Sequence, residues 1–301
     1  MTTPPKLQPA PVIDETVRLL TEHYVFPEIA EQVAGLLRRR LAEGAYDVDG
    51  AEELARLVTT DLQSVNDDRH LRLKHHVDPV SPEQGAATLD AMRRDFDTSL
   101  GGAPRVELLD GGVAVLELAP MLFPLEWAAE PLGAALTLAS RAQALIVDLR
   151  ANRGGDPDSV AFVCSYLLDE RTHLNTMHWR GGERTEQSWS LPHVPGARFG
   201  GSKPLYVLTS ESSFSAAEEL AYDLQQLGRA VLVGERTRGG AHPCKGWTVH
   251  PHLEVTVPFG RAVNPVSGAN WEGVGVQPDV PCAAAESLDR AHALALARLA
   301  G

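Results

Sequence analysis

Ser215 occupies a position from which a serine can act as a nucleophile. The apolar run Leu205–Leu208 has the length and the β-branched and aromatic content of a buried strand. It ends in a small polar loop, Thr209–Ser213, and a helical pattern of apolar residues follows from Ala217. A serine at such a strand-to-helix turn lies at a helix N-terminus, where free N–H groups favour a developing negative charge. The segment therefore suits acyl transfer, which needs a nucleophile, a base and donors for an oxyanion.

The same segment also fits a purely structural interpretation. Ser215 and Glu218 have the spacing of a capping box, in which the serine caps the helix and the glutamate bonds back to it. On this segment alone the cap is the simpler interpretation, because serine caps are common.

A second segment favours the interpretation of Ser215 as a nucleophile. Ala144–Leu149 is another buried strand pattern, and it runs straight into a loop that ends in Gly154 and Gly155. An ordinary turn is the alternative interpretation of these glycines. A phosphate-binding loop is disfavoured because neither GxGxxG nor GxxxxGK[ST] is present.

Four motifs resemble, in order and spacing, those of the tail-specific (C-terminal processing) serine protease family. They are Asp148-Leu-Arg-Ala-Asn-Arg-Gly-Gly155, Thr209-Ser-Glu-Ser-Ser-Phe-Ser-Ala-Ala-Glu218, Val233-Gly-Glu-Arg-Thr-Arg-Gly-Gly-Ala-His242 and Gly273-Val-Gly-Val-Gln-Pro-Asp279. The resemblance extends roughly from Val106 to Val280. It implies an α/β fold with a ClpP/crotonase-like spiral core of ββα units.

The resemblance implies a role for each matching residue of these motifs. It places the nucleophile at Ser215 rather than at the neighbouring Ser212 or Ser213. It also implies an oxyanion hole built from backbone N–H groups. Glycine lets the main chain approach a substrate carbonyl closely. The donors that match the family are Ala216 and either Gly154 or Gly155.

The general base departs from the pattern of the tail-specific proteases. They use a lysine in a Thr-x-Gly-Lys segment, but this chain has Gly240 at the lysine position. Tricorn-type members of the family use a histidine from the N-terminal segment and a glutamate just before the Gly-Val-x-Pro-Asp signature. The matching residues here are His70, in Asp68-Arg-His70, and Glu272. The resemblance therefore implies a Ser215–His70–Glu272 triad, whose unusual chain order is acceptable because triads are defined by geometry.

His242 is the competing base, since its segment follows the strand after Ser215 and could curl over the site. The sequence contains no HExxH or other metal-binding spacing, so we expect no metal and no cofactor.

Charge and composition indicate which classes of partner and which cellular compartment to expect. The formal net charge is −13, and the longest basic run is Arg38–Arg40, which argues against a nucleic-acid partner. No apolar run approaches bilayer length and no signal pattern is visible, so we expect no membrane partner. The three cysteines are widely spaced and predict no disulfide framework. We therefore expect a cytoplasmic location; the oligomeric state stays open.

Hydrophobic periodicity divides the chain into two predicted domains. Residues 1–66 carry three amphipathic helical patterns joined by short links, which predict a small N-terminal helical bundle. Residues 67–301 carry strand–helix–strand alternation, which predicts a parallel sheet covered by helices, the catalytic-type core. The strand patterns at Leu253–Val257 and Gly260–Val263 suit a late hairpin. The helical region resembles that of the retinoid-binding-protein-like branch of the same family.

The segment before the core is short. Many tail-specific proteases insert a peptide-gripping PDZ domain there, but only about two dozen residues are available, far fewer than a domain needs. We therefore predict a serine hydrolase that cleaves short peptides or small acyl compounds. The alternative is a catalytically silent module that binds a hydrophobic ligand, as the retinoid and fatty-acid binders of this branch do.

Overall fold

The computed structural model describes residues 7–80, 82–182 and 184–301, and of residues 82–88 it describes only the backbone. Its α-helices, in chain order, are α1 (Pro9–His23), α2 (Pro27–Ala42), α3 (Ala51–Gln63), α4 (Pro82–Thr98), α5 (Leu125–Ala139), α6 (Pro157–Leu167), α7 (Ala216–Gln226) and α8 (Ser287–Ala300). Its strands are β1 (Arg72–His75), β2 (Arg105–Leu109), β3 (Val113–Glu117), β4 (Ala144–Asp148), β5 (His173–Trp179), β6 (Thr185–Trp189), β7 (Leu205–Thr209), β8 (Val231–Gly234), β9 (Cys244–His250), β10 (Leu253–Pro258), β11 (Gly260–Val263) and β12 (Val280–Pro281).

The chain forms two compact units, and each contains three separate stretches of sequence. The first unit contains the described residues of Met1–Leu89, Met177–Thr185 and His242–Ala262, and the second those of Asp90–Thr176, Glu186–Ala241 and Val263–Gly301. The domain boundary predicted at residue 66 stays a prediction.

In the first unit, the three N-terminal helices pack on a small antiparallel sheet. Pro27 begins α2, where the missing N–H of proline costs nothing. The sheet has the order β1-β10-β9. Residues that are buried together in this core include Ile13, Leu20, Val33, Leu37, Leu54, Val58, Leu62, Leu71, Val255 and Val257. The apolar stripes of the helices are thus covered by strands from the distant segment Cys244–Pro258.

In the second unit, a six-stranded sheet positions the Ser215 and Gly154 loops. Its order is β12-β8-β7-β4-β3-β2. All neighbouring pairs are parallel except β2 and β3, which form an antiparallel hairpin. The predicted α/β architecture is confirmed. Because parallel strands place their carboxyl ends at one edge, the loops after β4 and β7 emerge side by side.

The predicted late hairpin of β10 and β11 is wrong. β10 pairs with β1 and β9, whereas β11 pairs with β5. Only Phe259 separates the two strands, and a hairpin needs a connection of at least about two residues. β5 and β6 lie in a stretch where the sequence pattern predicts no element, and they form a three-stranded sheet with β11.

Among the described residues, no helix combines the length and hydrophobicity needed to traverse a bilayer.

Candidate active site

Ser215 connects β7 to α7 and has a backbone conformation that is unusual for serine. Its φ is 55° and its ψ is −122°. These are the angles of the first central position of a type II′ turn, which glycine normally occupies. Holding a residue with a Cβ there costs on the order of 1–3 kcal/mol and requires contacts that enforce it. The turn places Ser215 at the N-terminus of α7.

Contacts from the loop after β4 enforce this turn. The Phe214 N–H donates to the carbonyl of Asn152 at 3.2 Å. The Ser213 hydroxyl donates to the carbonyl of Leu149 at 2.9 Å and is fully buried. Ser213 therefore has a structural role in joining the two loops.

Gly154 lies directly against the backbone of the Ser215 turn. A Cβ on Gly154 would lie 2.7 Å from the Ser215 Cβ and 3.2 Å from the Ala216 nitrogen. Only a glycine fits at this distance, and its φ of 104° also favours glycine. The structure thus brings Gly154 against the predicted nucleophile, and the other two predicted oxyanion-hole residues, Gly155 and Ala216, directly follow Gly154 and Ser215 in the chain.

Asn152 fixes the glycine loop. Its buried side chain accepts a hydrogen bond from the Gly154 N–H at 2.9 Å and donates to the carbonyl of Leu118 at 2.9 Å. The Gly154 N–H is therefore already bonded, which favours Gly155 and Ala216 as the donors to an oxyanion. Asn152 was not predicted as a site residue, although it lies inside the Asp148–Gly155 motif.

Glu218 ties Ser215 to the segment that carries Gly240. Its carboxylate accepts hydrogen bonds from the backbone N–H groups of Ser215 (2.8 Å), Gly239 (2.6 Å) and Gly240 (2.9 Å). It also accepts one from the Thr237 hydroxyl. Burial raises the pKa of Glu218 to about 7, although these four donors favour its ionised form. Glu218 is thus more than a helix cap, because it joins two loops of the predicted site.

Glu272 belongs to the same group of loops. Its carboxylate accepts a hydrogen bond from the Ala241 N–H. The neighbouring Trp271 ring N–H donates to the carbonyl of Gly240 at 2.8 Å. Through this segment the structure connects Glu272 to Glu218, and through Glu218 to Ser215.

Besides Glu218, α7 carries a pair of buried carboxyl groups, Glu219 and Asp223. Asn175 donates to both carboxyl groups, at 3.3 Å to Glu219 and at 2.9 Å to Asp223. Burial, together with the charges of Asp156 and Asp158, raises the pKa of Glu219 to about 7. Burial and the charge of Glu219 likewise raise the pKa of Asp223.

In the first unit, Asp68 is the centre of a buried polar network. Its Oδ2 atom accepts hydrogen bonds from the Tyr24 hydroxyl at 2.8 Å and from His242 Nδ1 at 2.9 Å. Its Oδ1 atom accepts one from the His70 N–H at 3.1 Å. Both predicted base candidates, His70 and His242, are therefore nearly buried residues in contact with one carboxylate.

The predicted site residues fall into two groups. Ser215, Ala216, Glu272 and the two glycines belong to the second unit, whereas His70 and His242 belong to the first. The Ser215–His70–Glu272 triad, with His242 as the alternative base, stays a prediction. Asp68 and its bond to His242 were missed, because the two residues are 174 positions apart and no local pattern links them.

Comparison with known proteins identifies the family. Residues 118–282, more than half of the chain, match the model of peptidase family S41. The chain belongs to peptidase family S41. Residues 7–97 match the model for the N-terminal domain of peptidase S41 in eukaryotic IRBP, which confirms the predicted branch of the family.

Two curated relatives of this S41 chain match shorter stretches. A carboxyl-terminal-processing protease of Picosynechococcus sp. is 36% identical over 94 residues, which are 31% of this chain and 21% of the relative. The carboxyl-terminal-processing peptidase 3, chloroplastic, of Arabidopsis thaliana is 33% identical over 141 residues, 46% of this chain and 26% of the relative. The chain matches only about a quarter or less of the length of these relatives.

A solved structure supports the fold over nearly the whole chain. The photosystem II D1 C-terminal processing protease has 17% sequence identity and a TM-score of 0.56, with 94% of this chain and 97% of that chain covered. At this identity the likeness concerns the fold alone, and it confirms the predicted ClpP/crotonase-like core.

Proposed function

We propose that this S41 chain is a serine peptidase whose nucleophile is Ser215. In the first step the Ser215 hydroxyl oxygen bonds to the carbonyl carbon of a peptide, and the hydroxyl proton moves to a general base. The oxyanion that forms is stabilised by the N–H groups of Gly155 and Ala216. The base then protonates the leaving amine as the C–N bond breaks. Water hydrolyses the acyl-enzyme by the same sequence of proton transfers.

The observation that carries this proposal is the strained Ser215 turn. A residue with a Cβ is held in a glycine-type conformation, against Gly154, at the start of α7. A cap alone does not require this strain, because ordinary N-cap residues have extended backbone angles. Such strain is typical of sites where a side chain must be presented to a reacting group.

We propose His70, oriented by Glu272, as the general base. Gly240 cannot accept a proton, so attack by serine near neutral pH requires another acceptor. A histidine has the ordinary pKa that best suits this pH. The assignment requires His70 of the first unit to reach Ser215 of the second.

We propose that the substrates are short peptides or small acyl compounds. The relatives are named for carboxyl-terminal processing, but this chain has too few residues before its core for the peptide-gripping PDZ insertion. Turnover of a casein-like protein should therefore be slow beside that of short peptides. Comparing peptides with free and amidated C-termini tests whether a terminal carboxylate is recognised. Processive degradation of the protein with peptides left intact would contradict the proposal.

The remaining parts of the proposal concern partners and compartment. The net charge of −13 supports a protein that has no nucleic-acid partner. We keep the absence of a membrane partner and the cytoplasmic location as predictions, which cell fractionation can test.

The decisive experiment is labelling with a fluorophosphonate, followed by mapping of the adduct by mass spectrometry. We expect one adduct, on Ser215, and none in the Ser215→Ala variant. Ser212→Ala is the matched control, because Ser212 is an exposed serine of the same loop. No reaction of the wild-type chain would favour the silent ligand-binding module. An adduct on Ser213 would overturn the assignment of the nucleophile.

A further inference from the structure

The buried network around Asp68 indicates roles for Asp68 and His242, two residues that the predicted triad does not use. Tyr24 and His242 both donate to Oδ2 of Asp68, and the His70 N–H donates to Oδ1. We propose that Asp68 positions the candidate base His70, and that His242 positions Asp68 instead of acting as a base itself. The inference rests on the proposed function, because it assigns roles within the same reaction.

Asp68 and Thr256 hold the peptide groups on both sides of His70. The bond from the His70 N–H to Asp68 Oδ1, two residues earlier, closes an Asx turn. On the other side, the Thr256 hydroxyl donates to the His70 carbonyl at 2.5 Å. The backbone of His70 is therefore fixed at a helix-to-strand junction. This matters because misplacing a reacting group by about 1 Å can cost roughly 100-fold in rate.

The carboxylate of Asp68 can hold the His70 backbone in place only while the groups that donate hydrogen bonds to this carboxylate remain. It is fully buried, and a buried charge without partners is strongly destabilising. Tyr24 is anchored independently, since its hydroxyl accepts from the Asn66 amide at 2.7 Å and its carbonyl accepts from Arg180 at 2.7 Å. His242 supplies the second donor to Oδ2, from a segment far away in the sequence.

His242 contacts Asp68 through one ring nitrogen. A substitution that keeps this contact but cannot accept a proton therefore distinguishes a positioning role of His242 from a role as general base. Nδ1 faces the carboxylate, and the ring packs edge-on against Phe26 with the ring centres 5.4 Å apart. An asparagine places an amide N–H close to the position of histidine Nδ1, so it can keep the bond to Asp68. It has no nitrogen lone pair that could accept a proton. His242→Asn therefore preserves positioning and removes any basicity.

The test measures how fast the fluorophosphonate labels Ser215, across a range of pH, in His242→Asn and His242→Leu. We expect His242→Asn to label within about tenfold of wild type with the same pH midpoint, and His242→Leu to lose roughly 100-fold. His75→Asn and His75→Leu are the matched controls, because His75 is an exposed histidine of the same unit. Thermal unfolding of each variant shows whether it is folded. Tyr24→Phe removes the other donor to Oδ2 and should also slow labelling, even if His242→Leu does not fold.

The outcomes separate the alternatives. If His242→Asn is folded and as unreactive as Ser215→Ala, His242 is the base and the inference is wrong. If folded His242→Leu and Tyr24→Phe both react like wild type, the positioning role is wrong. If the wild-type chain itself does not react, the proposed function is rejected, and the inference with it.

Discussion

The Ser215 N–H donates to the carboxylate of Glu218 at 2.8 Å, and the same oxygen accepts the Gly240 N–H at 2.9 Å. One oxygen atom thus joins the start of α7 to the loop that carries Gly240. The bond fixes the nucleophile turn and the neighbouring loop together.

This relationship makes Glu218→Gln a specific test of the joined loops. The amide nitrogen of glutamine donates rather than accepts, so at least one buried N–H or hydroxyl donor loses its acceptor. We expect the free energy of unfolding to fall by about 1–3 kcal/mol per lost acceptor and Ser215 labelling to slow. Urea unfolding and labelling rates measure the two effects. Glu211→Gln, at an exposed glutamate of the same loop, should change neither; equal effects in both variants would refute the role of Glu218.

The strain at Ser215 predicts that its removal stabilises the fold. Ser215→Gly should be inactive yet more stable than Ser215→Ala by about 1 kcal/mol, because glycine adopts positive φ without the clash of a Cβ. Comparing the urea unfolding midpoints of the two variants tests this. A glycine variant that is less stable than the alanine variant would mean that the turn is not strained.

The packing of Gly154 against Ser215 predicts a large effect from one methyl group. In Gly154→Ala the new Cβ would lie 2.9 Å from the Phe214 carbonyl oxygen and 2.7 Å from the Ser215 Cβ. We expect labelling to fall roughly 100-fold, since the nucleophile is displaced. Gly181→Ala is the matched control, because Gly181 has a similar φ of 95° but nothing within 4 Å of the added Cβ. If labelling fell to a similar degree in both variants, backbone strain alone would account for the effect.

The triad predicts strong non-additivity between His70 and Ser215. Each alanine variant should lose roughly 10⁴-fold or more in kcat, and the double variant should be barely worse than either. Glu272→Gln should lose less, because it removes orientation and charge but not the proton acceptor. Turnover of whichever short peptide is cleaved by the wild type provides the measurement. Near-normal turnover in His70→Ala, with His242→Ala inactive, would identify His242 as the base.

The buried pair on α7 predicts how stability depends on pH. The pKa of Glu219 is raised from its ordinary value of 4.5 to about 7, so the unfolded chain loses this proton at lower pH than the folded chain. The free energy of unfolding should therefore fall as pH rises between these two values. Glu219→Gln should abolish this component of the pH dependence. Urea unfolding at several pH values tests this against Glu126→Gln, at an exposed first-turn glutamate of α5. Parallel pH curves for Glu219→Gln and wild type would contradict it.

The sequence correctly predicts those structural elements that depend on short-range patterns of residues. The strands around Val207 and Ile146, and the helix after Ser215, follow from apolar periodicity. The adjacency of the Gly154 and Ser215 loops follows from parallel strand order and from the family motifs. The pairing of β11 with β5 does not follow, because pairing partners are chosen by tertiary packing and the two strands are distant in the chain.

The polar contacts of the site are harder to predict for a related reason. Glu218 has the spacing of a cap, and nothing local shows that it also binds Gly239, Gly240 and Thr237. The bond between Asp68 and His242 joins two residues whose neighbouring sequences share no pattern. Such contacts depend on side-chain positions that only the folded backbone defines.

The pairing of β1 with β10 has a consequence for synthesis on the ribosome. His75 of β1 pairs with Leu253 of β10. At about 5–20 residues per second, roughly 9–36 seconds pass before the ribosome reaches this partner. During that interval the apolar faces of α1, α2 and α3 lack the strands that cover them in the finished chain. The N-terminal helices are therefore expected to be bound by chaperones during translation, and to complete their core only when most of the protein has been made.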